Sequence, residues 1–354
     1  MRSLALRLAV LLVFASIFRS ASAQTQEKPW PIRAVVVATF EIGADTGDKP
    51  GEFQLWVERE HLDEVVPFPG GVHPLRTNKE HTILGMISGT TIAPATASIM
   101  ALGLDPRFDL SHAYFLINGI AGVDPKVASL GSAAWAKFVV GDVTRMIDSR
   151  ETPKSWPYGL FAVSDKEPNQ PVGKRAAWFN SNLYPLNAGL VDWAFAMTRG
   201  LKLPDDEDSA TLRAKFVGDA FREARRPPFV LEGDSFASDY FWHGAVMNQF
   251  AEDWVRNWTG GKGVFAMTDM EDSGMMEALT RLDGMKRVDK NRVLVLRTAS
   301  NYSTPPPGHD PVESLLTPHL GKLAFETAYQ TGAPVLHKLV NDWATTRDHI
   351  PGTK

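Results

Sequence analysis

Residues Ala113 to Pro125 read Ala-Tyr-Phe-Leu-Ile-Asn-Gly-Ile-Ala-Gly-Val-Asp-Pro, an apolar run that ends in a small-residue turn. Bounded by turn formers, such a run fits a strand buried on both faces of a parallel sheet. In open α/β sheets, ligands bind beyond the carboxyl ends of strands of this kind. The pattern therefore predicts a strand over 113–117 and a site-lining turn from Asn118 to Gly122. Gly119 and Gly122, with Ala121 between them, let the backbone come close to a ligand, and Asn118 offers both donors and an acceptor. The same residues also read as an ordinary strand-to-helix turn.

Upstream, Ile32 to Phe40 is β-branched and apolar, as a first strand should be. His81 to Ser88 reads as another strand. Gly89-Thr90-Thr91 then leads into a helix over Ile92 to Leu102, with Pro94 in its first turn and Gly103 as its cap. Strand, glycine turn, helix and strand together make a β-α-β unit. Trp135 to Val140 and Val143 to Ile147 read as strands joined through Gly141-Asp142, a hairpin dipeptide. Residues 151–228, rich in Pro, Asn and aromatics at first and acidic at 205–208, form an elaboration on the sheet, a lid or an oligomer contact. Strands return at Phe229 to Leu231, Gly263 to Met267 and Arg292 to Thr298, the last two bracketing a helix over Met270 to Leu282. One more amphipathic helix runs from His319 and stops before Gly332-Ala333-Pro334.

Residues 1–23 carry Arg2 and Arg7, an apolar stretch and Ala21-Ser22-Ala23, the form of a cleaved secretory signal. The expected mature chain is residues 24–354, a periplasmic or extracellular α/β domain. The whole chain has 37 basic and 41 acidic side chains and no cysteine. Its stability must come from a core rather than from disulfides, and no nucleic-acid surface is indicated. The nine histidines show no H-E-x-x-H spacing, and neither a P-loop nor a G-x-S-x-G elbow is present.

Three late segments, Gly233-Asp234-Ser235-Phe236, Asp269-Met270-Glu271-Asp272 and Ala299-Ser300-Asn301-Tyr302, fall at or beyond expected strand ends. With Ser88 to Thr91 and Asn118 to Gly122 they should converge on one sheet edge. In these motifs, and in Val140-Gly141-Asp142-Val143, the chain resembles the purine nucleoside and uridine phosphorylase superfamily, and more closely the purine nucleoside permeases. The resemblance implies a central mixed, mostly parallel sheet flanked by helices. It also implies a purine nucleoside as ligand, with Met270 and Glu271 at the ribose, Asn301 at the base, and the loop after the first strand handling phosphate or water. Thr90, Asn118, Gly119, Ala121, Gly122, Phe236, Asp272 and Tyr302 complete the expected binding set.

Chemistry supports these roles independently. A carboxylate such as Glu271 can accept from both hydroxyls of a ribose through charge-assisted bonds. Thr268-Asp-Met-Glu271 is also a capping box, in which Glu271 would merely satisfy a helix end. Cleavage of an N-glycosidic bond leaves negative charge on the purine, which an amide at Asn301 can stabilise but not protonate. Asn301-Tyr-Ser303 also matches a glycosylation sequon, Phe236 could stack on the base or sit in the core, and His243 reads as a structural histidine. Glu41 resembles the water-activating carboxylate of the superfamily's hydrolases. Gly43 and Arg76 leave room for phosphate as a co-substrate, and no other cofactor is expected. Two functions follow: nucleoside capture for uptake, beside a membrane transporter partner or as a homo-oligomer, and N-ribosyl hydrolysis or phosphorolysis.

Overall fold

The computed structural model describes residues 28–170, 182–317 and 321–353. The expected signal segment, 1–23, and part of the elaboration lie outside them. In chain order the strands are β1 (Trp30–Pro31), β2 (Ala34–Ala38), β3 (Glu64–Val66), β4 (Leu75–Thr77), β5 (Ile83–Ile87), β6 (Phe108–Asp109), β7 (Tyr114–Val123), β8 (Ala133–Trp135), β9 (Phe138–Val140), β10 (Thr144–Met146), β11 (Leu160–Ala162), β12 (Leu183–Pro185), β13 (Val230–Glu232), β14 (Asp234–Ala237), β15 (Phe265–Asp269) and β16 (Val293–Tyr302). The α-helices are α1 (Gln54–Arg59), α2 (Ile92–Leu104), α3 (Ala188–Thr198), α4 (Glu207–Ala214), α5 (Ala245–Trp258), α6 (Asp272–Gly284), α7 (Pro311–Leu316), α8 (Gly321–Asn341) and α9 (Trp343–Thr346).

Twelve strands form one mixed sheet in the order β12-β9-β14-β15-β7-β2-β5-β4-β3, with a branch from β7 through β16 and β8 to β13. Its pairings are mostly parallel, as expected: β2 pairs with β5 and β7, β16 with β7, and β14 with β15 and β9, each in parallel, while β15 meets β7 antiparallel, so that two parallel blocks of opposite sense join there. Helices α2 and α6 pack on each other, and α8 lies across β7 and β16.

Strand β7 has three neighbours. β16 follows it from Phe115 to Val123; on the opposite edge β2 pairs with Tyr114 to Ile117, and β15 takes over at Gly122 and Val123. The expected turn at Asn118 to Gly122 is therefore strand interior, and that reading is corrected. The ladder with β16 satisfies the backbone on that edge through this stretch, so the two glycines do not break the strand. What they supply is room, because a Cβ on Gly119 would lie 2.7 Å from Glu52 Oε1 and would also collide with the Arg297 guanidinium. Asn118 is fully buried; it accepts from Trp56 Nε1 at 2.9 Å and donates to Val37 O at 3.0 Å. It thereby links α1 and β2 to β7 across the point where β2 departs.

Three other expectations change. Gly141-Asp142 is no hairpin turn, because β9 pairs with β12 and β14 while β10 pairs with β11. Gly103 lies inside α2 rather than beyond it, since its missing Cβ lets the helix close on Leu282 of α6. The C-terminal helix continues through Gly332-Ala333-Pro334 to Asn341. Proline removes one hydrogen bond there, but Val335, Leu336 and Leu339 are buried beyond it, and Gly332 lets the helix close on the Trp56 ring. Among the described residues no helix is long and apolar enough to cross a membrane.

Asn118→Ala should lower the unfolding free energy by about 1–3 kcal/mol, because the buried Trp56 N–H loses its acceptor. Urea denaturation measures this; an unchanged midpoint would show that the link carries no stability.

Candidate active site

Between Ile117 and Gly122 no strand among the described residues covers the β2/β15 edge of β7. The exposed backbone there is met by charged side chains instead. Ile120 N–H donates to Glu52 Oε1 at 2.6 Å, and Ile120 O accepts from Arg297 Nη1 at 3.3 Å. Arg297 is rooted in β16 on the other side of β7 and is 1% exposed. Its guanidinium passes over Gly119 to reach the gap.

A buried cation must be paired, and this one is surrounded. Arg297 Nη2 lies 2.6 Å from Asp272 Oδ1, 3.3 Å from Glu271 Oε2 and 3.6 Å from Asp269 Oδ1. All three acids sit at the junction of β15 and α6. Asp269 caps α6, accepting from the N–H groups of Glu271 (2.9 Å) and Asp272 (2.7 Å), and it also takes a short bond from Ser235 Oγ. The helix-capping task expected of Glu271 thus falls to Asp269. Glu271 accepts from Met270 N–H at 3.2 Å and from Thr91 N–H, at the start of α2, at 3.3 Å.

Glu52, just before α1, completes the group; its other oxygen accepts from Thr39 N at 2.7 Å and from Thr39 Oγ1. Four carboxylates around one cation cannot all be ionised in a buried site. Burial pushes Glu52 up to about 7, outweighing the opposite pull of Arg297 and Thr39. Burial likewise raises Asp269 and Glu271, helped by the neighbouring Asp272. Burial alone would depress Arg297, yet Asp272, Asp269 and Glu271 hold it well above its usual range.

The expected site residues divide into those this cluster gathers and those it does not. Glu271 and Asp272 belong to it, Met270 adjoins it, and Thr90 is exposed at the mouth of α2. Gly119 and Gly122 serve packing: a Cβ on Gly122 would touch Thr268 Cγ2 and Asn301 Nδ2. Ala121 is in a hydrophobic cluster with Val123 and Met267. Phe236 is packed among Trp242, Phe250 and Phe265, so its ring lies within the core. Glu41 stands apart, its carboxylate accepting from the N–H groups of Ile42, Gly51, Phe53 and Gln54 at the start of α1. Arg76 is bound to Asp45 at 2.7 Å, with His73 on the same carboxylate, and Gly43 is a left-handed turn residue.

Asn301 and Tyr302 face a separate recess of about 310 Å³, large enough for a small ligand. Ser300, Asn301 and Tyr302 form one wall, Leu212, Lys215 and Phe216 from the elaboration another. Asn301 Oδ1 accepts from Ser300 Oγ at 2.8 Å, which turns its amide nitrogen toward Gly122. The Tyr302 hydroxyl donates to Ala224 O at 2.8 Å and its ring packs on Phe216, fastening the elaboration to β16. His243 lines the recess beside Ser314.

Glu52 and Arg297 are the residues that motif reading passes over. Arg297 did leave a trace: one charge inside Val-Leu-Val-Leu-Arg-Thr-Ala, a strand otherwise buried, demands a buried partner.

The architecture is that of the nucleoside phosphorylase-like α/β proteins. A 5′-methylthioadenosine/S-adenosylhomocysteine nucleosidase of Helicobacter pylori superposes with a TM-score of 0.50 at 13% identity, covering 87% of this chain and 98% of that one. Residues 31–351 match the purine nucleoside permease (NUP) family, to which this chain belongs. A probable purine nucleoside permease of Schizosaccharomyces pombe is 34% identical over 275 residues, 75% of this chain and 78% of the relative. A purine nucleoside permease of Candida albicans is 27% identical over 326 residues, 89% and 77% of the two chains.

The raised Glu52 value has a thermodynamic consequence. Between the ordinary glutamate value of 4.5 and about 7, the folded chain keeps a proton that the unfolded chain has lost, so stability falls as pH rises through this window. The loss from this group approaches about 3 kcal/mol. Glu52→Gln should flatten the stability profile between those two pH values, as read by chemical denaturation at a series of pH values; an equal slope in both proteins would assign the proton elsewhere.

Proposed function

We propose that the pocket at Glu271 binds a purine nucleoside and that the chain serves nucleoside uptake, capturing its ligand after export and delivering it to a membrane transporter partner. The carrying observation is the state of the Glu271 carboxylate. Its contacts to Thr91 N and Arg297 are both 3.3 Å and that to Met270 N is 3.2 Å, all longer than the roughly 2.7–2.9 Å of a well-formed charge-assisted bond. A carboxylate has about four acceptor positions, so capacity remains for the paired hydroxyls of a ribose. Asn301, beside Gly122 in the neighbouring recess, donates one amide N–H to Tyr302 O at 3.3 Å and has a second for the base end of a ligand that reaches from Glu271 into that recess. Membership of the permease family and the names of the two relatives support a nucleoside over other diols.

Glu52 favours a second reading, hydrolysis. A carboxyl group that titrates near pH 7 is matched to general base catalysis at neutral pH. Water would attack C1′ of the ribose and pass a proton to Glu52, while the C–N bond breaks with its electron pair going to the base, where the Asn301 N–H would stabilise it. In this reading Glu52 takes the part that the resemblance gave to Glu41, whose oxygens are held by four backbone N–H groups.

Calorimetric titration of the mature protein with inosine, guanosine and adenosine tests binding. Glu271→Gln should weaken it by about 1.5–3 kcal/mol, the worth of a hydrogen bond to a charged group. Equal affinities in two folded proteins would end the ribose assignment. Chromatography of the same mixtures tests cleavage: free base from the wild type, and none from Glu52→Gln that still binds nucleoside, would establish hydrolysis.

A further inference from the structure

The start of α2 is where an anionic co-substrate would be expected, since a helix N-terminus presents unpaired N–H groups and a positive dipole end. In this chain the two donors at its very start are already committed. Thr91 N–H points to Glu271 Oε1 at 3.3 Å, and Ile92 N–H donates to Asp239 Oδ1 at 2.9 Å. Pro94 has no N–H, and Ala95 N–H turns back to Thr91 O.

The backbone that aims these donors is strained. Thr91 has φ 74° and ψ 162°, a conformation nearly confined to glycine and costing about 1–3 kcal/mol. Asp239 reaches it from the loop after β14, and this loop is fixed in turn: Ser238 N–H donates to Asp269 O at 3.0 Å, and Asp142 bonds to the Ser238 side chain and the Asp239 backbone. Asp142, Asp239 and Glu271 therefore gather negative charge around the helix start. The cation expected to balance an anion, Arg76, is bound to Asp45.

We propose that Asp239 acts as a built-in anion at the N-terminus of α2 and makes the site selective against inorganic phosphate, so that glycosidic cleavage here uses water as its acceptor. The inference rests on the nucleoside reading of Glu271 together with the hydrolytic reading of Glu52, and adds to them a residue that decides the co-substrate. A phosphate dianion would have to displace Asp239 from Ile92 and enter beside two further carboxylates. Water does neither.

The test uses inorganic phosphate as the probe, followed by calorimetry and by phosphorus resonance, with the wild type, Asp239→Ser and Asp239→Asn. Serine and asparagine both retain a capping oxygen, so α2 keeps its N-terminal partner while the charge is lost. The expected result is no saturable phosphate binding by the wild type and a gain of about five- to tenfold or more in both variants, the scale of one charge at a helix end. In the variants inosine cleavage should also begin to yield ribose 1-phosphate. Phosphate binding by the wild type as tight as that of the variants would overturn the proposal. So would a folded pair of variants that still ignore phosphate. Titration of the wild type with inosine is the separate arm: its failure would count against the nucleoside reading, whereas the phosphate comparison judges Asp239 alone.

Discussion

The passage of Arg297 across β7 holds the centre of this molecule together. One guanidinium, entering from β16, closes the gap where β2 leaves β7 and before β15 joins it, and ties that gap to the β15–α6 junction. A buried cation of this kind is costly to desolvate, and removing a single partner from such a group is costlier still. The surroundings accordingly supply more negative groups than the cation can balance, and protons make up the difference. Gly119 is the geometric condition for the arrangement, since any side chain there would stand in the path of the guanidinium.

Charge imbalance gives the pocket its chemistry. Had one acid faced one base, a quiet salt bridge would have resulted. Here burial, with a smaller push from Glu271, raises Glu52 to about 7 against the pull of Arg297, and Glu271 itself holds only long contacts. The same acids explain the helix geometry nearby: Asp269 caps α6, while Glu271 and Asp239 together hold the strained start of α2.

Periodicity and turn chemistry were enough to read the mostly parallel pairing of the sheet, the Gly89 to Thr91 turn before α2, and the convergence of Glu271 with the β15 end. They failed where long-range pairing overrode local preference. The glycines at 119 and 122 look like a turn in isolation, but β16 supplies a full ladder of partners nearly 180 residues later. Pro334 looks like a stop signal, but burial on both sides of it outweighs one missing hydrogen bond. Phe236 resembled a stacking surface because its position in the motif says nothing about the tryptophan and phenylalanines that enclose it. Glu52 was invisible for a related reason: its character comes from Thr39, Ile120 and Arg297, and no window along the chain contains them all. Arg297 alone was legible in principle, as a charge stranded in an apolar strand.

Tyr302 marks the boundary between two regions built from different parts of the chain. The carboxylate cluster is built on strand and helix ends at the centre of the sheet, from β7, β15, β16 and the start of α6. The recess beside Asn301 is walled by α4 and the loops around it, an appendage attached to the sheet through the Tyr302 hydroxyl and the Phe216 ring. Lengthening, trimming or recolouring that appendage leaves the Arg297 cluster untouched. A change of shape or polarity in that recess can therefore be made without moving a strand of the sheet, with the Tyr302 phenol as one seam between the two regions.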